Sequence, residues 1–262
     1  MRQIHIVGGG KLGRTLGRLL REAGFKLGAV RCRSIASARR AVRFIGGGTP
    51  QGPIEGGLVF VTVPDDEIER VARGLAGTRV HCAGGLDAKS VGADGSFHPL
   101  KSFADPALAA RTFAGTPVAV EGRAWRTLER MARAIGGVPF HVRGKAAYHA
   151  GAVFASNYLV ACFDAAVRLL VRAGLKRRDA ARVLLPLAKG TVANLGAVGL
   201  PGALTGPVER GDVRTVARHL RAAGALAPLY ASLARVCIGI AREKGSIDGR
   251  AAGRLDAILR KR

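Results

Sequence analysis

The chain has 262 residues, 48% of them hydrophobic, and a formal charge of +24, so it can bury one large core or two modest ones. Aromatics are only 5% and arginine is spread over nearly every helical stretch, which argues against a nucleic-acid surface of basic clusters interleaved with aromatics. Such a charge still draws in anionic ligands.

No charged-then-apolar leader precedes the first strand, and no uninterrupted apolar segment approaches the length of a bilayer span, so a cytoplasmic protein without a membrane partner is expected. Cys32, Cys82, Cys162 and Cys237 form no C-x-x-C pair and read as reduced thiols.

Ile4, Ile6 and Val7 open the chain as a short strand. Gly8, Gly10 and Gly13 follow on G-x-G-x-x-G, and Leu12, Leu16, Leu19 and Leu20 then recur at helical spacing until Gly24. Strand, tight turn and helix in that order form a dinucleotide-binding fingerprint, with the phosphates on the free N–H groups of the helix start. Gly8, Gly10, Lys11, Leu12 and Gly13 are the expected cradle.

A second strand, Lys26–Arg31, ends in Arg31-Cys32-Arg33-Ser34. An acid about 20 residues past the glycines holds the ribose hydroxyls of NAD. None stands here, so Arg33 and Ser34 point to a 2′-phosphate and to NADP(H).

A helix over Ile35–Phe44, a Gly/Pro-rich loop over Gly46–Gly57 and a buried parallel strand over Leu58–Val63 come next. Val63 and Pro64 are placed against the cofactor, and Asp65 or Asp66 is the expected cap of a helix running to Leu75. Strands are predicted at Arg79–Ala83, Ser96–His98, Thr116–Val120 and Val138–Val142, with a helix over Arg123–Ile135. Alternating strands and helices argue for an α/β fold with a doubly wound parallel sheet, a Rossmann domain over residues 1–143.

From residue 144 to 262 the pattern is all-helical: Lys145–Ala173, Arg178–Leu195, Val213–Gly224, Ala227–Lys244 and Gly249–Arg262. The first of these is apolar on most faces, as befits a helix buried in its domain or at a subunit contact. Lys145, His149, Ala152 and Ser156 nonetheless share a stripe about 60° wide on it, with Asn157 about 100° further round. Polar groups on such a helix are costly to bury unpaired. Reduction of a carbonyl or imine needs a proton donor, and His149 or Lys145 can serve.

His98 follows a strand at the carboxyl edge where ligands bind, with Lys101 and Ser102 on the same loop. It is either a second catalytic group or a loop histidine. Thr205 and Arg210 lie in a turn-rich loop before Asp212, a good helix cap. Arg210 is suited to a substrate carboxylate, although pairing with Glu209 or Asp212 serves equally.

Gly8–Gly13, Val63-Pro64-Asp65-Asp66, His98-Pro99-Leu100-Lys101-Ser102-Phe103, Tyr148-His149-Ala150, Ser156-Asn157-Tyr158 and Thr205-Gly206-Pro207 with Arg210-Gly211-Asp212 together resemble one bacterial group. Its members, labelled NADP oxidoreductases, join a Rossmann-like domain to a helical C-terminal domain of unknown function. The layout is more distantly similar to pyrroline-5-carboxylate reductase, ketopantoate reductase and the 3-hydroxyacid dehydrogenases. His98-Pro99-Leu100 is similar to the His-Pro-Met loop of prephenate dehydrogenases, whose histidine contacts the reacting hydroxyl.

The resemblance implies a homodimer built through the helical domain and a site in the interdomain cleft. It departs from the hydroxyacid dehydrogenases in placing His149, not asparagine, one turn after Lys145. The combined expectation is an NADP(H)-dependent oxidoreductase of a small anionic metabolite, a 2-oxo or hydroxy acid or a cyclic imino acid. Catalysis falls to His149, Lys145 and His98, and substrate contact to Ser102, Ser156, Asn157, Thr205 and Arg210. No metal site is expected. The alternative is a sensor that binds NADP(H) without turnover.

Overall fold

The computed structural model describes residues 3–260. Two compact units divide it, residues 1–156 and 157–262. In the first, β1 (Ile4–Val7) leads into α1 (Lys11–Glu22), β2 (Leu27–Arg31) and α2 (Ile35–Ile45). A two-residue β3 (Thr49–Pro50) precedes β4 (Leu58–Val61), α3 (Ile68–Arg73), β5 (Thr78–His81) and β6 (Gly95–Pro99). Then come α4 (Pro106–Arg111), β7 (Pro117–Glu121), α5 (Trp125–Ala134), β8 (Val138–Phe140) and α6 (Lys145–Ala155).

The sheet order is β3-β2-β1-β4-β5-β6-β7-β8, and β1 and β4 lie side by side where the winding reverses. Every residue of β4 is buried, which is why its apolar run has no alternation. Phe60 and Phe97 meet edge to face at 5.4 Å in the core below α1 and α5.

One pairing departs from the expected parallel order: β6 and β7 are antiparallel. The connection between them begins and ends at the same edge of the sheet, since the Leu100 N–H donates to the Pro117 carbonyl at 2.8 Å.

The helix expected to start at Asp65 or Asp66 is also different. Both aspartates lie inside a 3-10 turn, Asp65–Glu67, preceded by Pro64, and no side chain caps α3. A cap needs extended backbone, which neither residue has.

The predicted helix Lys145–Ala173 is two helices, α6 and α7 (Asn157–Arg172), broken at Ser156 with φ −127° and ψ −72°. The division between the two compact units coincides with this break, after Ser156. Lys145, at the start of α6, is 1% exposed in the first unit, and this anchors the helix there.

The second unit continues with α8 (Arg177–Ala203), α9 (Val213–Ala223), α10 (Ala227–Glu243) and α11 (Gly249–Arg260). The predicted end of the last helix at Arg262 lies outside the described residues. Asp212 caps α9, accepting from the Thr215 N–H at 3.0 Å. Val216, Leu220, Ala234, Leu255 and Leu259 form a core among α9, α10 and α11.

α7 and α8 contribute little to that core. Each has one buried residue, Val167 and Ala180, while Val160 is 70% and Leu187 68% exposed.

Among the described residues, three stretches are long and apolar enough to cross a bilayer: Lys145–Arg172, Arg177–Ala203 and Val213–Glu243, with mean hydropathies of 1.4, 1.5 and 1.5. This corrects the expectation that no segment approaches that length. Isolated charges interrupt the apolar runs yet leave their mean hydropathy high.

Candidate active site

At the carboxyl ends of β1, β2 and β4 lies a cleft of about 670 Å³ lined by Gly8, Gly10, Lys11, Leu12, Arg33, Thr62, Val63 and Pro64, among others. This is the crevice at which open α/β sheets bind ligands. Its shape depends on the glycines. A Cβ on Gly8, where φ is 109°, would meet the Thr62 carbonyl oxygen at 2.5 Å, and one on Gly13 would meet the Gly8 carbonyl oxygen at 2.0 Å.

A Cβ on Gly10 would meet nothing within 4 Å, so the backbone there faces open space in front of α1. The Thr62 hydroxyl fixes the turn by donating to the Gly8 carbonyl at 2.6 Å. Amides at a helix start, an open approach and no acid in the first turn together fit a diphosphate.

At the far end of the cleft, Arg33 is exposed. The Ser34 hydroxyl caps α2, accepting from the Ser37 N–H at 3.2 Å, and lies 3.0 Å from the Ser37 hydroxyl. Arg40 donates to that Ser37 hydroxyl at 2.9 Å. Ser37 and Arg40 lie in the first and second turns of α2, beyond the position that the spacing from the glycines marks.

A second group of polar residues gathers where β5, β6 and α6 meet. Lys145 Nζ donates to Ser96 Oγ at 2.8 Å, with both side chains buried. Ser96 is in register with His81 on β5 and Glu121 on β7. Burial lowers the pKa of Lys145, opposed by the charges of Glu121 and Asp87. No ion pair to Lys145 occurs among the described residues. Its ammonium lies 5.7 Å from the ring centre of Tyr148.

Tyr148 and His98 share a hydrogen bond of 2.7 Å, Oη to Nδ1. Burial pushes the Tyr148 hydroxyl up to about 12, so it keeps its proton. Burial, helped by Lys145 and His149, takes His98 down to about 4. His98 is therefore neutral, and its bond to Tyr148 forms with either ring tautomer.

His149 stands edge to face with His98 at 5.7 Å, and its Nδ1 is buried with no partner among the described residues. Gly84 makes room for both rings. A Cβ there would stand 2.3 Å from His149 Nδ1 and 2.9 Å from His98 Nε2.

Beneath them His81 Nδ1 accepts from the Ala83 N–H at 3.2 Å, which leaves the proton on a buried Nε2. Burial, with Lys145 and His98 adding to it, lowers His81 to about 4. His81 and His98 are thus neutral near pH 7 beside one buried amine, an arrangement of groups able to take up and release protons.

Lys145, His149 and His98 thus come together. Tyr148, Ser96, His81 and Gly84 complete the group and were not singled out as site residues. Tyr148 is three residues past Lys145, and that spacing was the available signal.

Ser102 is exposed on its loop, and Lys101 donates to the Thr112 carbonyl at 2.7 Å. Ser156 donates to the Ala152 carbonyl at 2.6 Å. Asn157 begins α7, and Thr205 and Arg210 are exposed in the second unit. Glu209, one expected partner of Arg210, pairs instead with Lys244 at 3.1 Å.

Sheet order, glycine turn and switch-point cleft define a Rossmann-like protein. The chain joins two described domains: residues 2–105 match the Rossmann-like domain, and residues 116–237 match DUF2520, a domain of unknown function. No curated protein matches it.

Among solved structures it is similar to TM1727 from Thermotoga maritima, at 29% identity and TM-score 0.74, covering 92% of this chain and 99% of that one. The NADP oxidoreductase candidate BF3122 from Bacteroides fragilis shares the fold at 22% identity and TM-score 0.73, covering 91% and 98%. So does 1-pyrroline-5-carboxylate reductase from Streptococcus pyogenes, at 15% identity and TM-score 0.61, covering 92% and 98%.

Proposed function

We propose that the chain is an NADP(H)-dependent oxidoreductase of a small anionic metabolite, a 2-oxo or 2-hydroxy acid or a cyclic imino acid. One observation carries this reading: an open glycine-lined cleft and the buried Lys145–Ser96 and half-buried Tyr148–His98 contacts lie on the carboxyl edge of the same sheet. The names of BF3122 and the Streptococcus reductase support it. The nicotinamide cofactor supplies the hydride chemistry when bound.

The chain's own residues supply the rest. Gly8, Gly10, Lys11, Leu12 and Gly13 hold the diphosphate, and Val63 and Pro64 flank it. Arg33, aided by Ser37 and Arg40, takes the 2′-phosphate, with Ser34 fixing the helix start. Tyr148 with His98, or His149, delivers a proton to the reduced atom. Lys145, held by Ser96, favours an anion in front of it. Arg210 remains the proposed partner of a substrate carboxylate.

The exposed apolar faces of α7 and α8 pack, in this reading, against a second copy of the chain and not against a membrane. Charges interspersed along them support a protein partner: Asp164 pairs with Arg168 and Arg177, both at 2.6 Å. Four free cysteines suit a cytoplasmic setting.

The test is a fluorescence titration of NADPH and NADH against the wild type and Arg33→Glu. Reversing the charge is expected to weaken NADPH about 10- to 100-fold and NADH little. Equal losses for the two would remove phosphate recognition from the proposal, and absence of binding by either would remove the enzyme.

A further inference from the structure

Gln51 is the one non-glycine residue with positive φ, 54°, among the described residues. A side chain in that region is strained and persists only where its surroundings hold it. Core packing does not do so here, since Gln51 is exposed. Hydrogen bonds do. Its N–H donates to the Val30 carbonyl at 3.0 Å. Its carboxamide then closes on the backbone of Cys32 from both sides: Oε1 accepts from the Cys32 N–H at 3.0 Å, and Nε2 donates to the Cys32 carbonyl at 2.9 Å.

The neighbouring residues repeat the contact in reverse. Arg31 Nε donates to the Gly52 carbonyl at 2.9 Å. The end of β2 is therefore gripped at two successive residues by the loop after β3. Cys32 is also pressed against the glycine turn, because a Cβ on Gly9 would lie 2.5 Å from its sulfur. Arg33 and Ser34 follow immediately. An amide that pairs with both the N–H and the C=O of one residue fixes the two peptide planes on either side of it, and so the direction in which the next residue leaves.

We infer that Gln51 is a positioning residue for cofactor selection, its carboxamide setting the Cys32–Ser34 turn so that Arg33 meets a 2′-phosphate. The inference rests on the NADP(H) reading above. Gln51 itself touches no phosphate in this scheme. Its effect passes through Arg33, so it alters discrimination between two nucleotides more than affinity for their shared part.

Calorimetric binding of 2′,5′-ADP and 5′-ADP to the full chain tests this, with wild type, Gln51→Ala, Gln51→Glu and Gln51→Gly. The wild type should prefer 2′,5′-ADP. Gln51→Ala should cut that preference about tenfold, as expected for two lost hydrogen bonds, while 5′-ADP affinity moves less than about twofold. Gln51→Glu keeps the acceptor for the Cys32 N–H and should fall between. Gln51→Gly adopts the backbone without strain, and it should lose the preference while remaining folded.

A preference unchanged in Gln51→Ala and Gln51→Gly, or equal weakening of both probes, overturns the inference and leaves the NADP(H) reading standing. A wild type that binds both probes equally overturns the reading and the inference together.

Discussion

Gly84 decides how closely two imidazoles can approach. Its missing side chain leaves the space into which His149 Nδ1 and His98 Nε2 both point. Adding one methyl in Gly84→Ala forces the rings apart or the β5–β6 connection outward. Overpacking of this kind destabilises by about 1–3 kcal/mol, to be read from urea unfolding monitored by circular dichroism. The variant should still bind NADPH like the wild type, because the glycine cleft lies elsewhere on the sheet edge. An unchanged unfolding midpoint would mean that the rings are not held where the geometry has them.

Among the elements, those with strong periodicity or an unbroken apolar run were legible in the sequence. β1, α1, β4 and α2 fall within a residue or two of expectation. β3 escaped notice because two residues carry no alternation. α4 is only six residues long, although Asp105 caps it and Pro106 opens it in the manner that marks a helix start.

The break at Ser156 had no glycine or proline to announce it. Lys145 and His149 were found because polar residues on an apolar helix are conspicuous. His81 and Ser96 were missed because, inside apolar strands, only the sheet register shows that they sit side by side.

α8 carries the element-scale prediction. Leu187 is 68% exposed in a stretch whose most apolar 18 residues include no buried one. Leu187→Asp should turn a dimer into a monomer in analytical ultracentrifugation, since a charge in a desolvated contact has no partner there. A wild type that sediments as a monomer, in the absence of detergent, would remove the proposed dimer.

At the scale of the whole molecule, the buried histidines make stability depend on pH. His81 and His98 both titrate near 4 in the folded chain and near 6.5 when unfolded. The unfolded state then binds more protons between those values. Their contribution is complete above about pH 6.5 and is lost as the pH falls toward 4.

His5 acts in the same direction. Its pKa is lowered, chiefly by burial, and its Nδ1 accepts from the Ala29 N–H at 2.9 Å. Thermal melts from pH 7.5 to 4.5 should show a midpoint that drops through this window, and the drop should be shallower in His81→Phe. A midpoint flat across the range would mean that these imidazoles are accessible to protons in the folded chain.

The helix break at Ser156 also bears on how such a protein can diversify. Lys145, Tyr148, His98 and His149, and every residue lining the glycine cleft, precede it. In the proposed reading, the helical half that follows can vary in sequence while the contacts among Lys145, Ser96, Tyr148 and His98 stay in place.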